Sequence, residues 1–165
     1  MQRVNAIALA EQPHARGTVG QVLVHPNSRN VIPGRVKFTV DFRHADAQGL
    51  ARMDAALRAA VAEATTPGIE ITVEQVVEYA PTPFDAELRE LIRSGAERAG
   101  LSHMALASGA GHDAVYVART APAAMIFVPC KDGISHNEIE DARPEHLAAG
   151  CNVLLHAMLA RAGVA

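Results

Sequence analysis

The chain has 165 residues, 49% of them hydrophobic, 4% aromatic and 20% charged, with a formal net charge of −3. That length and apolar content suit one ordinary domain or two small ones with real cores, and they exclude a disordered chain. With 15 basic against 18 acidic residues there is no cationic excess to suggest a nucleic-acid or polybasic membrane role.

No run approaches the roughly 18 apolar residues of a spanning helix. The N-terminus lacks the long apolar core and cleavage site of a secretory signal, so the expectation is a soluble, cytoplasmic protein. Cys130 and Cys151 are too few for a disulfide framework and are expected to be reduced and buried.

Residues 1–11 are predicted helical on Val4, Ile7 and Leu9, and begin without a capping residue. Residues 18–25 read as a strand and lead into a loop, PNSRNVIPG, punctuated by Pro26, Pro33 and Gly34. The next stretch, RVKFTVDFR, alternates cleanly. Val36, Phe38, Val40 and Phe42 are expected to face a core, and Arg35, Lys37, Thr39, Asp41 and Arg43 water or a cleft. A helix over about 46–64 places Leu50, Met53, Leu57, Ala60 and Val61 on one side and stops at Pro67-Gly68. Alternation resumes in IEITVEQVVEY, with Ile69, Ile71, Val73, Val77 and Tyr79 together. Residues 1–80 thus predict an α+β unit, helices on an antiparallel sheet in two layers, one strand short at the front.

Two prolines in APTPF suggest a boundary or hinge. A helix over 84–99 ending at Gly100 follows, then a short strand, MALAS, and a glycine turn, SGAGHDA. A helix over about 112–119 precedes AAMIFVP, an apolar run typical of a buried parallel strand. The loop CKDGISHNEIEDAR then leads to a closing helix from Pro144 to about Arg161, with proline in its first turn. Two strands do not complete a parallel sheet, so residues 81–165 read as an incomplete α/β portion.

The glycine turn sits where backbone N–H groups can hold an anion, although a tight helix entry explains it equally well. It lacks the Lys-Ser/Thr of a phosphate loop and the spacing of a dinucleotide fingerprint. His136 lies in a loop past the C-terminal end of an apolar run, where sites gather, yet a lone loop histidine is commonly just solvated. His14, His25, His44, His103, His146 and His156 show no metal-ligand spacing, no cysteine motif surrounds Cys130, and Ser108 is not in a nucleophile elbow. By residue type alone, Asn30 is a turn former and Arg43 a surface charge.

Three ordered segments, NVIPGRVKFTVDFR, SGAGHDA and MIFVPCKDGISHNEIED, resemble the metal-dependent amidohydrolases that include N-carbamoyl-L-amino-acid hydrolases, allantoate amidohydrolase and β-ureidopropionase. These belong to the aminoacylase and metallo-exopeptidase superfamily, and the resemblance runs over nearly the whole chain. It implies that residues 1–80 form most of a lid and dimerisation domain, and residues 81–165 the C-terminal part of a catalytic α/β domain. Asn30 and Arg43 match lid residues that grip the substrate carboxylate, Gly111 a backbone donor to it, and His136 the last ligand of a two-metal centre. His112 and Asp113 belong to the motif without an assigned role.

The implied partners are a small carboxylate substrate and a second copy of the chain, with no nucleic acid and no membrane. The implied cofactors are two divalent ions; zinc, manganese, cobalt and nickel all suit mixed His/carboxylate ligands. In the family a metal-bridging water attacks the amide or ureido carbon with a glutamate as general base. The other metal ligands and that glutamate have no match in these 165 residues. The expectation is therefore a portion of a longer enzyme, inactive alone and holding no metal stably. The alternatives are a non-enzymatic dimerisation module or one half of a split enzyme.

Overall fold

A computed structural model describes residues 1–163 and divides the chain into two units. The first comprises residues 1–81 with 107–109; the second comprises, of the described residues, 82–106 and 110–163.

In the first unit, α1 (Gln2–Ala10) starts at Met1 without a side-chain cap. α2 (Ala47–Ala64) is capped by Asp46, whose carboxylate accepts the Gln48 and Gly49 N–H groups at 2.8 and 3.0 Å. That satisfies two of the donors a helix start leaves unpaired. Four short strands, β1 (Arg16–Thr18), β2 (Val22–His25), β3 (Arg35–Phe38) and β4 (Asp41–Arg43), pair antiparallel as β1–β4 and β2–β3.

The registers show that these are two stretches of one long hairpin. Arg16 faces Arg43 and Thr18 faces Asp41, while Val22 faces Phe38 and His25 faces Arg35. Residues 19–21 therefore oppose only residues 39–40, a bulge of one residue that breaks the ladder. Across the break, Thr39 N–H donates to the Gln21 carbonyl and Gln21 N–H to the Thr39 hydroxyl, both at 3.1 Å. The two unbroken strands expected at 18–25 and 35–43 are each divided here.

Met53 is completely buried and packs with Ala8 and Ala15, flanked by half-buried Ile7 and Phe42. Gly17 lets α1 lie close on the hairpin, because a Cβ there would come within 2.7 Å of the Ala8 Cβ. The expected core face of the hairpin is only partly covered. Phe42 joins the core, whereas Val36 and Phe38 remain 47% and 40% exposed. Helix α1 contacts β1, and α2 contacts β4, at the Phe42 end.

In the second unit, α3 (Ala86–Arg98) is capped by Asp85, whose carboxylate accepts Leu88 N–H at 2.8 Å. α4 (Asp113–Val117) is short, and α5 (Pro144–Ala162) begins on proline and ends at Gly163 in the left-handed region. Such a start and stop follow from proline's preset φ and glycine's missing Cβ. α3 and α5 pack together: the His156 ring fills the space a Gly95 side chain would need, and Arg161 donates to the Glu87 carboxylate at 3.1 Å.

Residues 69–79 form no ladder; the first of them, Ile69, makes one isolated bridge to Thr66. Residues 104–108 and 123–129 are likewise outside any strand. These three expected strands are corrected. Alternation says which face a segment would bury, but a strand exists only as half of a ladder, and these segments join no ladder among the described residues. The fold is mixed α/β with two small antiparallel sheets. Both cysteines are free; Cys130 is half-buried, while Cys151 is exposed rather than buried. No described helix is long and apolar enough to cross a membrane.

Candidate functional site

Arg43 ends β4 beside Asp41. The guanidinium donates from Nε and Nη2 to the two Asp41 carboxylate oxygens at 3.0 and 2.7 Å, and from Nη1 to the Gly109 carbonyl at 2.7 Å. Charge-assisted bidentate geometry of this kind is the stronger class of hydrogen bond. Those bonds hold the Asp41 carboxyl below the usual carboxylate range and hold the Arg43 proton more firmly. Both side chains remain about half exposed, so an anion can approach the guanidinium.

Asn30 stands in the connection between β2 and β3, where residues 26–34 are exposed throughout, and its side-chain oxygen accepts from the Ser28 hydroxyl at 2.9 Å. Arg35 is already eight residues from Arg43 along the hairpin. At about 3.3 Å per residue that separates Asn30 from Arg43 by roughly 20 Å or more. The two side chains of one chain do not reach one small carboxylate together.

In the second unit, Gly111 follows a bend at residues 109–110 and precedes α4, with no atom within 4 Å of where a Cβ would stand. Its backbone is open, but α4 is five residues long, so it supplies little helix dipole. His112 takes the N-cap position without a side-chain cap bond, and its ring meets Phe127 edge-on. His136 is exposed with a left-handed backbone, φ 56°, and its N–H donates to a Glu140 carboxylate oxygen at 2.9 Å. Lys131 N–H donates to the Asp141 carbonyl at 2.7 Å and closes the loop.

A two-metal centre needs several ligands for each ion. Among the described residues no group of three His, Cys, Asp or Glu side chains can hold a metal ion. His136 alone does not fit such a centre.

Asp41 and Gly109, the partners of the Arg43 guanidinium, were not singled out in the sequence. Asp41 had a signal: it lies two positions from Arg43, on the same face of an alternating strand. Gly109 had none, being 66 residues away.

Residues 2–160 match the profile of Peptidase family M20/M25/M40. The chain belongs to that family. It is 46% identical over 165 residues to an N-carbamoyl-L-amino-acid amidohydrolase of Rhizobium meliloti, covering 99% of this chain and 40% of the relative. It is 38% identical over 140 residues to an allantoate amidohydrolase of Escherichia coli K12, covering 83% of this chain and 34% of that protein. Among solved structures, a hydantoinase/carbamoylase family amidase from Burkholderia multivorans superimposes with a TM-score of 0.90 at 57% identity. That match takes in 97% of this chain and 39% of the other. The AtUAH chain, solved in complex with glyoxylate, gives 0.76 at 26% identity over 95% of this chain and 38% of its own. The M20 chain described here thus spans about 40% of the length of its first curated relative.

Proposed function

We propose that these residues are the carboxylate-recognising portion of a metal-dependent amidohydrolase acting on the amide or ureido C–N bond of N-carbamoyl amino acids or related ureido acids. The observation that carries the reading is the 46% identity, along the whole chain, to an N-carbamoyl-L-amino-acid amidohydrolase. The half-exposed Arg43 guanidinium supports it, since a planar cation suits a carboxylate. So does the AtUAH structure, which holds a small carboxylate, glyoxylate.

In this reading residues 1–80 act as lid and dimerisation domain, and residues 81–165 as the C-terminal part of a catalytic α/β domain, in the cytoplasm. Arg43, Asn30 and the Gly111 N–H bind the substrate carboxylate. His136 contributes one imidazole to a centre of two divalent ions, zinc, manganese, cobalt or nickel, whose other ligands these residues do not supply. The 165 residues alone hold no ion tightly and do not hydrolyse substrate. Because one hairpin keeps Asn30 and Arg43 apart, both serve one carboxylate only when Asn30 comes from one copy of the chain and Arg43 from another. The functional unit is then a homodimer.

The test is binding of N-carbamoylglycine to the purified chain by NMR titration, against N-carbamoylglycinamide, which lacks the carboxylate. Selective binding lost in R43A is expected; equal binding of the two probes, or R43A binding as the parent does, overturns the reading. Chains carrying N30A and R43A, each weak alone, should recover part of the binding when mixed.

The second reading is a non-enzymatic binding module or half of a split enzyme, the chain spanning 40% of the length of the relative it matches. Co-purification from the source with a chain that supplies metal ligands distinguishes the split enzyme.

A further inference from the structure

Asp41 and Arg43 lie two residues apart on β4, so their side chains leave the same face of the strand. A guanidinium carries five N–H donors in a rigid planar fork. Asp41 occupies one side of that fork through Nε and Nη2, and Gly109 takes one donor of Nη1. One N–H on each terminal nitrogen remains.

An exposed arginine ordinarily samples many rotamers, and gripping an anion fixes them at an entropic cost. Here the guanidinium is already oriented by two short charge-assisted bonds from its own strand. The Gly109 carbonyl, accepting from Nη1, shows that an oxygen acceptor is well placed at the terminal nitrogens. An exposed ion pair of this sort adds little to stability, which leaves orientation as its main consequence.

We infer that Asp41 is a positioning residue: it holds the Arg43 guanidinium side-on, so that the terminal nitrogens present themselves to a substrate carboxylate. The inference rests on the reading of Arg43 as the carboxylate-binding residue and names what aims it.

The test uses the full 165-residue chain, labelled with nitrogen-15 and titrated with N-carbamoylglycine, the arginine Nε–H signals being followed directly. D41N should weaken binding about tenfold, as loss of an orienting partner commonly does, and D41E should restore most of it. D41N binding as tightly as the parent, while R43A binds weakly, overturns the role of Asp41 and leaves the reading of Arg43 standing. R43A binding as tightly as the parent, or a parent that does not bind, overturns both. Should D41N lose the hairpin, the parent decides alone. Its Arg43 Nε–H, donated to Asp41, must exchange with solvent more slowly than that of Arg29 on the exposed loop. Equal exchange rates overturn the inference.

Discussion

Replacing Met53 with alanine should cost the first unit about 3–4 kcal/mol. The substitution removes the γ-carbon, the sulfur and the terminal methyl from a side chain that solvent does not reach. At about 0.8 kcal/mol for each methylene-sized group, the lost transfer free energy is ~2.4 kcal/mol. A residual cavity of about 50 Å³, at roughly 24 cal/mol per Å³, adds ~1 kcal/mol. The surroundings favour a persistent cavity, because Ala8 and Ala15 have no side chain beyond Cβ to swing inward, and only Ile7 and Phe42 can relax. Urea unfolding followed by far-ultraviolet circular dichroism measures the loss, and the Gly17 and Phe42 amide signals assign it to this unit. M53L keeps most of the volume and should cost less than about 1.5 kcal/mol. A loss below about 1 kcal/mol in M53A would refute the claim that Met53 is the centre of this core.

Gly49→Ala should destabilise, although a helical glycine-to-alanine exchange ordinarily gains up to about 1 kcal/mol. The new Cβ would fall 2.2 Å from the His44 ring, and a raised melting temperature would refute this. Glu11 accepts from Arg52 at 2.7 and 2.8 Å, which holds its carboxyl below the ordinary range. A depressed carboxylate stabilises the fold above its unfolded pKa, about 4.3, and that contribution disappears as pH falls through the folded value. The melting-temperature gap between the parent and E11Q should therefore be present at pH 7 and close towards pH 2; a gap independent of pH argues against the tie. Incubated with zinc or manganese and freed of excess, the chain should retain well under one ion by elemental analysis. Nearly two ions per chain would mean that side chains far apart in this structure assemble into a centre.

The helices were legible from local chemistry: apolar periodicity over 46–64 and 84–99, Gly100 after the second, and Pro144 in the first turn of the last. The Asp46 and Asp85 caps and the Gly163 stop, by contrast, were read only from the structure. Alternation along 35–43 correctly put Asp41 and Arg43 on one side of a strand, because side-chain direction there has a period of two. It did not foresee the bulge opposite Thr39 and Val40, which depends on how two strands meet.

What the sequence by itself determined was the kinship and the local elements: motifs in order along the chain, caps, periodicity, and the residue types able to meet a carboxylate or a metal. Tertiary structure decided which extended segments acquire partners, since ladder formation is a property of two strands and not of one. It decided that Asn30 and Arg43 lie at opposite ends of a hairpin, and that a glycine carbonyl from residue 109 meets the guanidinium of residue 43. Such contacts join residues tens of positions apart, and no local pattern encodes a distance that only the folded chain sets.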